Sequence, residues 1–386
     1  MMDSQRHLFD LDDDIYFLNG AYMSPQLLSV EKAGVEAIRK LSKPYLFSTQ
    51  DFFDSVSKVK HSFARLIHSD QPERVAYIPS VSYGIATVAN NIQLEPGDEI
   101  IVLKDQFPSN YYSWKSKANE AGANIIVVDG TDGETRGHDW TQKIVEAINP
   151  KTKVVAICQV HWAEGIIYDL SAIGKRSREV DAWFVIDGTQ SVGALDFDVN
   201  EVQPDALICA AYKWLMGPYG SALAYYGPRM DSGRPIEENW INRKDSHLFQ
   251  NLVNYQDEYS AGSGRYSVGE QSNFILLPML SEALGQLIDW GTTNIQTYCR
   301  SLNEPYLDQL RDLGFQVLGN GQMAEHLLGI QIPDHINESE LKQSYSDHQV
   351  VVSFRGPKIR ISPNVYNRKA DWERLIMATK VVSNNK

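Results

Sequence analysis

The chain has 386 residues, of which 43% are hydrophobic and 22% are charged. This length exceeds the usual size of one hydrophobic core, so we expect one large domain and one smaller domain. The formal net charge of -13 argues against a nucleic-acid partner, because such a partner requires a concentrated basic face. No apolar run approaches the roughly 18 residues that a membrane span needs, so no membrane partner is expected.

The N-terminal segment and the cysteines predict a cytoplasmic protein. The segment MMDSQRHLFDLDDDIYF lacks the basic and apolar regions of a signal peptide. The three cysteines, Cys158, Cys209 and Cys299, show no CxxC spacing, which favours a reducing compartment. The acidic cluster at 10-14 lacks the glycine and distal glutamate of a calcium loop, so we interpret it as a solvated turn and predict no metal site.

Between residues 70 and 230, short apolar runs alternate with amphipathic stretches. This alternation predicts parallel βαβ units in a doubly wound sheet with helices on both faces. The predicted strands are RVAYIP, EIIVL, NIIVVD, KVVAICQV, AWFVID and DALICAA, and the predicted helices span 82-92, 109-121, 139-148 and 171-181.

The pattern changes after about residue 235, where a long polar and aromatic stretch runs to 268. The remainder predicts a separate α+β domain. Its predicted helices span 271-290, 294-313, 338-345 and 369-383, and its predicted strands lie near 315-318, 327-332 and 349-361.

Unusual residues follow the predicted strands of the first region. Ligands of an open α/β sheet bind beyond the carboxyl ends of its strands, so these residues are the candidates for function. The five segments are SVSYG at 80-84, DQFPSN at 105-110, HWAEG at 161-165, DGTQ at 187-190 and AYKW at 211-214.

Two of these segments offer candidates for the groups that a pyridoxal-phosphate site needs around the cofactor ring. Lys213 ends one predicted strand, although lysine is seldom buried without a partner or a task. Such a lysine can form an imine with the cofactor. Asp187 ends another strand and can pair with a pyridinium nitrogen, and Gln190 can donate to the phenolic oxygen.

The phosphate and the ring face of the cofactor also have candidate binding residues. Ser80 and Ser82 lie at a predicted helix start, where hydroxyls, free N–H groups and the helix dipole favour a phosphate. Tyr212 offers a further donor beside the lysine. Phe107, held by the following proline, can stack on the cofactor ring.

The segment FVIDGTQSVGALDFDVNEVQPDALICAAYKWLMGPYGSALAYY resembles the signature of the class V aminotransferase family of pyridoxal-phosphate enzymes. In this signature a glutamine or histidine follows the aspartate by three residues, and Gly-Pro-x-Gly follows the lysine and an aromatic residue. The resemblance extends to YFLNGAYMSP at 16-25, QFPSNYYSW at 106-114, RYSVGEQSNF at 265-274 and IRISPNVYN at 359-367.

The resemblance implies a fold type I homodimer with active sites at the subunit interface. An N-terminal segment at 1-25 would join the small domain to the active site. A large cofactor-binding domain at 26-270 would hold a mostly parallel seven-stranded sheet flanked by helices, and 271-386 would form the small α+β domain.

The resemblance also implies roles for individual residues. Lys213 would form the Schiff base, Asp187 would pair with the pyridinium and Gln190 would contact the phenolic oxygen. Phe107 would stack on the ring. Ser82 and the amide of Val81 would bind the phosphate.

The resemblance places the substrate near several further residues. Arg360 would bind the α-carboxylate, which suits its bidentate fork. Asn19, Gly20 and Ala21 would line the substrate pocket, and His161 and Trp162 would face the substrate.

Two positions depart from the family pattern. Glu270 stands where a threonine or asparagine usually reaches the phosphate of the partner subunit. Ala210 replaces a hydroxyl residue three positions before the lysine, and Tyr212 is the candidate to compensate for it.

The freed Lys213 is the natural base for the substrate α-proton. We expect an amino-acid aminotransferase. The alternatives are an epimerase and a kynureninase-like or carbon-sulfur lyase. A cysteine desulfurase is disfavoured, because no cysteine lies between Ser339 and Arg360, where that reaction places its nucleophile.

Two readings from other classes are weaker. SVSYG approaches the Gly-x-Ser-x-Gly elbow of serine hydrolases, with Ser82, Asp187 and His326 in hydrolase order. However, Ser80 replaces the first glycine, and this reading leaves Lys213 unexplained. A cofactor-binding protein without catalysis is the other alternative.

Overall fold

The structure is a computed structural model that describes residues 2–319 and 321–383. Its strands alternate with helices, and the α/β prediction is confirmed. The strands are β1 (Tyr16–Phe17), β2 (Val75–Ile78), β3 (Glu99–Leu103), β4 (Asn124–Val128), β5 (Thr152–Cys158), β6 (Trp183–Asp187), β7 (Ala206–Ala210), β8 (Ala222–Tyr226), β9 (Leu328–Gln331), β10 (Val350–Val351), β11 (Ser353–Arg355) and β12 (Lys358–Ile361).

The helices include every one predicted from the periodicity, together with three that were not predicted: two that precede the first strand of the central sheet and one short helix before β7. They are α1 (Leu28–Leu41), α2 (Asp51–Leu66), α3 (Val81–Asn91), α4 (Tyr112–Ala121), α5 (Arg136–Ala147), α6 (Leu170–Glu179), α7 (Val199–Val202), α8 (Leu276–Trp290), α9 (Thr292–Asp312), α10 (Glu338–Asp347) and α11 (Lys369–Ser383). Among the helices of the described residues, none is both long enough and apolar enough to cross a membrane.

A seven-stranded sheet forms the centre of the molecule, with strand order β2-β8-β7-β6-β5-β3-β4. All of its pairings are parallel except the two that β8 makes with β2 and β7. The carboxyl ends of β2, β3, β5, β6 and β7 therefore meet at one edge of the sheet, as a doubly wound topology requires.

The two faces of the sheet carry separate hydrophobic cores. Along β5, Val154 and Ala156 pack with α3 and α4 on one face, whereas Val155 and Ile157 pack with α5 and α6 on the other. This alternation follows from the period of two along a strand. Helix α8 lies against α1 and α2 and extends the second core.

Strand β8 was not predicted from the sequence. It follows β7 without an intervening helix, so the chain reverses through the turn at 211-221 and pairs antiparallel with β7. Met216 and Gly220 adopt positive φ angles of 51° and 82° in this turn. Since β8 returns directly beside β7, Lys213 lies in the connecting loop, at the edge of the sheet where the parallel strands have their carboxyl ends.

The C-terminal region forms a three-stranded antiparallel sheet, in the order β11-β12-β9, over a separate core. The strand predicted near 315-318 is reduced to an isolated bridge between Gln316 and Gln331. The N-terminal segment joins this region, because β1 pairs with β10 and Asn19 bridges Ser362. Leu18 lies in the same core.

Candidate active site

A cavity of ≈ 260 Å³ opens at the carboxyl edge of the central sheet. Residues that follow β2, β3, β5, β6 and β7 all contribute to its wall. The predicted residues that line it are Ser80, Val81, Ser82, Phe107, Trp162, Asp187, Gln190, Tyr212 and Lys213.

Lys213 lies in the turn between β7 and β8 and is 6% exposed. Hydrogen bonds from Met216 N to Lys213 O and from Gly217 N to Ala211 O hold the turn. Burial and the charge of Arg360 together lower the pKa of Lys213 to about 8, and Asp187 opposes both. The neutral, nucleophilic amine is therefore far more populated near physiological pH than it is in an ordinary lysine.

Asp187 ends β6 with its carboxylate buried in the cavity wall. Its Oδ1 accepts a hydrogen bond from Thr189 N at 3.0 Å, and Thr189 Oγ1 accepts one from Ala210 N at 3.2 Å. Burial raises the pKa of Asp187, and no cation of the described residues forms an ion pair with it. A buried carboxylate of this kind fits the protonated ring nitrogen of pyridoxal phosphate.

Gln190 is oriented by the indole of Trp214. Trp214 Nε1 can only donate, and it donates to Gln190 Oε1 at 2.8 Å, so the amide nitrogen points the other way. Gln190 Nε2 donates to Ala21 O at 3.2 Å. The second hydrogen of this amide remains available to an acceptor in the cavity.

The start of α3 forms an anion site. Ser80 is its N-cap, and Ser80 Oγ accepts from Tyr83 N at 3.2 Å and lies 3.0 Å from Ser82 Oγ. Within the described part of the chain, the N–H groups of Val81 and Ser82 have no protein acceptor. Free N–H groups, two hydroxyls and the positive helix end suit the phosphate of the cofactor.

Two aromatic rings form the wall opposite the sheet. Phe107 and Trp162 meet edge to face, with ring centroids 5.5 Å apart, and Lys213 Nζ lies 5.3 Å from the Phe107 centroid. Trp162 Nε1 donates to Asp105 O at 2.6 Å, which fixes the indole. Gln106 Nε2 donates to Ala156 O at 2.9 Å and anchors the Phe107 loop to β5.

Arg360 is buried without an acidic partner among the described residues. Its Nη1 donates to Trp162 O at 3.0 Å and its Nη2 lies 3.5 Å from Ser353 Oγ, whereas Nε is unpaired. Burial lowers the pKa of Arg360 to about 9, and the charge of Arg355 contributes. An uncompensated buried guanidinium fits a substrate carboxylate, which would supply the missing negative charge.

The N-terminal residues predicted to line the pocket are not among the residues that line this cavity, but they contact its wall and the C-terminal region. Asn19 Oδ1 accepts from Ser353 Oγ at 2.7 Å, and Ala21 N donates to Ser362 Oγ at 3.0 Å. A Cβ on Gly20 would approach the hydroxyl of Tyr366 to 2.8 Å, so only glycine fits there without rearrangement. This segment positions the wall of the site through Ala21 O and Gln190.

Two predicted histidines are engaged by other groups. His161 Nε2 lies 3.2 Å from Lys104 O, and His161 Nδ1 accepts from Glu164 N at 3.2 Å, so the histidine braces the turn that carries Trp162. His326 binds Gln190 O at 2.7 Å and Gln296 Nε2 at 2.8 Å. Since both nitrogens of His326 are occupied, this geometry offers no support for a triad with Ser82.

Three residues of the site were missed in the sequence. Thr189 lies within the quoted DGTQ segment, where its hydroxyl could have been noted. Tyr219 lines the cavity and packs against Tyr212 in a tilted arrangement, with centroids 4.6 Å apart. Arg355 pairs with Lys358 across the turn at 356-357 and so shares a hairpin face with Arg360, a pattern that the FRGPKIR segment contains.

The cavity thus brings together a buried amine, a buried carboxylate, an aromatic wall and a phosphate-type anion site. This set has the chemical groups that pyridoxal phosphate requires. The family model for class V aminotransferases matches residues 46–366, and the chain belongs to this family. Its cofactor is pyridoxal phosphate, as the sequence predicted.

Individual relatives differ in their reactions. The chain is 25% identical over 322 residues to an uncharacterized aminotransferase of Schizosaccharomyces pombe, covering 82% of this chain and 79% of that one. It is 22% identical over 329 residues to isopenicillin N epimerase of Streptomyces clavuligerus, covering 82% of each. The solved cysteine desulfurase of Thermococcus onnurineus superposes with a TM-score of 0.82 at 19% identity, covering 100% of this chain and 99% of that chain. The fold type I prediction is confirmed.

We expect Lys213→Ala to abolish covalent attachment of pyridoxal phosphate, because Lys213 is the only lysine among the described residues that line the cavity. Borohydride reduction followed by peptide mass mapping measures the attachment. Lys60→Ala is a matched control, since burial also lowers the pKa of Lys60 to about 8 but Lys60 lies on α2, outside this cavity. Attachment that persists in Lys213→Ala would contradict the assignment.

The rate of this attachment should rise with pH through about 8, because the neutral amine attacks the cofactor and the pKa of Lys213 is about 8. Stopped-flow absorbance of the apoprotein mixed with pyridoxal phosphate gives the profile. In Arg360→Gln the profile should move to higher pH, since a positive charge that lowers the pKa is removed. An unchanged midpoint in this variant would show that Arg360 does not act on the lysine.

Proposed function

We propose that the protein is an amino-acid aminotransferase that works through Lys213. The observation that carries the proposal is that Lys213 is the available base at the wall of the cavity. Its pKa is lowered to about 8, whereas burial raises the pKa of the neighbouring Tyr212 and Cys158 and keeps both protonated at neutral pH. Asp187 would pair with the ring nitrogen of the cofactor and so would not serve as the base.

Bound pyridoxal phosphate supplies an electron sink that acidifies the α-C–H of an amino acid. Asp187 stabilises the protonated ring nitrogen on which that sink depends, and Gln190 donates its free amide hydrogen to the phenolic oxygen. Ser82 and the N–H groups at the start of α3 hold the phosphate. Arg360 binds the α-carboxylate and orients the α-C–H toward Lys213 Nζ.

Lys213 Nζ then accepts the α-proton and becomes an ammonium group, whose charge Asp187 favours. A proton that is removed and returned by one base moves along one side of the substrate. Inversion at the α-carbon requires a second proton donor on the opposite side. Proton transfer by Lys213 alone therefore favours transfer of the amino group over epimerisation. Phe107 and Trp162 line the same cavity and limit access of water.

Tyr212 supports the second candidate, an epimerase or a carbon-sulfur lyase. Its ring centroid lies 5.5 Å from Lys213 Nζ, and its pKa is raised by burial, so the phenol is a proton donor at neutral pH. A second donor of this kind could protonate the α-carbon or a leaving group.

We further propose that the protein is not a cysteine-dependent desulfurase, although desulfurases share its fold. Cys209 and Cys299 are fully buried. Cys158 lines the cavity, but burial and the nearby Asp187 raise its pKa well above that of a free thiol. The thiolate that attacks sulfur is therefore not favoured at any of the three positions.

Transamination predicts a half-reaction that can be isolated. Holoprotein mixed with one amino acid, without a keto acid, should convert to the pyridoxamine form and release one equivalent of keto acid per site. A second keto acid should reverse the spectrum. Lys213→Ala should slow α-proton removal by roughly 10²- to 10⁴-fold, the usual contribution of a positioned general base. Stoichiometric ammonia, a cleaved side chain or an inverted amino acid without keto acid would favour the second candidate instead.

We also propose a cytoplasmic homodimer with the division 1-25, 26-270 and 271-386. The outer face of α1 supports the dimer, because Leu28, Val35 and Ile38 recur there at helical spacing and are 45%, 40% and 55% exposed. Glu270 is exposed in the single chain. As a carboxylate it is a poor ligand for the partner's phosphate.

The combined change Val35→Glu and Ile38→Glu should raise the dimer dissociation constant by at least ~100-fold, because burying unpaired carboxylates costs several kcal/mol. Sedimentation velocity across a concentration series measures it. The combined change Met377→Glu and Val381→Glu on α11 introduces the same two charges at apolar residues that are 42% and 44% exposed, and should leave the dimer intact. A wild-type monomer, or a double variant that dimerises normally, would contradict the proposed interface.

A further inference from the structure

A second, larger cavity of ≈ 1070 Å³ lies beside the first, between the edge of the sheet and the β11–β12 hairpin. Trp162 and Gln106 border both cavities. A substrate whose α-carbon lies at Lys213 can therefore direct its side chain past Trp162 into this space. The charges that line the second cavity then decide which side chain is accepted.

Most of the cations in the second cavity are already paired. Lys104 lies 3.8 Å from Asp105, and Lys358 lies 2.7 Å from Glu164. Arg136 donates to Glu164 at 2.9 Å and also pairs with two aspartates. These three cations face four carboxylates, and Asp334 also lines the cavity, so they leave little attraction for a further anion.

Arg355 differs from them, because no carboxylate of the described residues lies within ion-pairing distance of it. Its Nη1 donates to the backbone oxygen of Phe354 at 2.7 Å, and its buried Nε has no partner. Burial lowers the pKa of Arg355. The guanidinium is thus partly desolvated and lacks a counter-charge, which is unfavourable unless a ligand supplies one.

Arg355 lies on the same face of the β11–β12 hairpin as Arg360, the candidate binding residue for the α-carboxylate. Ser353 pairs with Arg360 and Arg355 pairs with Lys358 across the hairpin, so these side chains share one face. The guanidinium carbons of Arg355 and Arg360 lie 5.4 Å and 5.9 Å from the centroid of the Trp162 ring. The positive charge of Arg355 contributes to the lowered pKa of both Arg360 and Lys213.

We propose that Arg355 binds the side-chain carboxylate of an acidic amino acid whose α-carboxylate is held by Arg360. This inference rests on the proposed aminotransferase function and names its substrate class: a dicarboxylic amino acid and the corresponding 2-oxo dicarboxylic acid. Two unpaired guanidinium groups beside one indole match two carboxylates joined by a short carbon chain. The planar fork of each arginine can hold its carboxylate through two hydrogen bonds.

Binding of unreactive analogues to the holoprotein tests the site without catalysis. Glutarate and its monoamide, glutaramate, differ only in the second charge, and succinate and succinamate provide the shorter pair. Isothermal calorimetry should show that one dicarboxylate binds roughly 10- to 100-fold more tightly than its monoamide, as hydrogen bonds to charged groups imply. The pair with the larger ratio identifies the chain length.

Arg355→Gln should abolish this preference and leave the affinity for the monoamide within a few-fold of wild type. Lys358→Gln is the matched control on the same hairpin face, and should keep the preference because Lys358 is already paired with Glu164. Equal wild-type affinities for acid and amide would overturn the proposal. So would an Arg355→Gln variant that weakens both ligands equally, since that result indicates a structural role.

Kinetics separate this proposal from the proposed function. If the protein transaminates glutamine and asparagine as well as glutamate and aspartate, the acidic specificity is wrong while the aminotransferase assignment stands. If the dicarboxylate preference is present and depends on Arg355, but the half-reaction yields no keto acid, the binding site stands and the reaction is wrong.

Discussion

Burial of the Lys213 ammonium at the end of β7 is the constraint on which the rest of the site depends. Removing an ammonium from water disfavours its charged form, and two guanidinium groups nearby disfavour it further. Asp187 partly compensates, and the pKa settles at about 8. For a lysine with only a structural role, this burial would be destabilising. For an amine that must be neutral to bond a cofactor and to accept a proton, the lowered pKa is favourable.

The fold brings together the groups that this lysine needs from distant parts of the chain. Parallel strands deliver Asp187, Phe107 and the start of α3 to one edge of the sheet. Gln190 then links this edge to the N-terminal segment and to the turn after β7, since it donates to Ala21 O and accepts from Trp214. The N-terminal segment is tied in turn to the C-terminal region by hydrogen bonds to Ser362. The closed wall of the site therefore forms only when all three regions are folded.

Charge divides the site into two functional halves. On the cofactor side, Asp187 and the helix start supply one buried carboxylate and an anion-binding end. On the substrate side, Arg360 and Arg355 supply positive charge that no described carboxylate neutralises. Trp162 stands between the halves, contacting Phe107 on one side and both arginines on the other. In the proposed function, these two arginines without carboxylate partners would select and orient an anionic substrate.

The sequence by itself determined the strands β2 to β7, the flanking helices and the strand-end residues Lys213, Asp187 and Phe107. Strand and helix periods are local, and the carboxyl ends of parallel strands coincide in any doubly wound sheet. Three features were decided only by the tertiary structure. Strand β8 joins the central sheet antiparallel to its neighbours, His326 hydrogen-bonds to Gln190 O, and Arg355 shares a hairpin face with Arg360. Each of these depends on hairpin register or on packing between segments distant in sequence, which local periodicity does not encode.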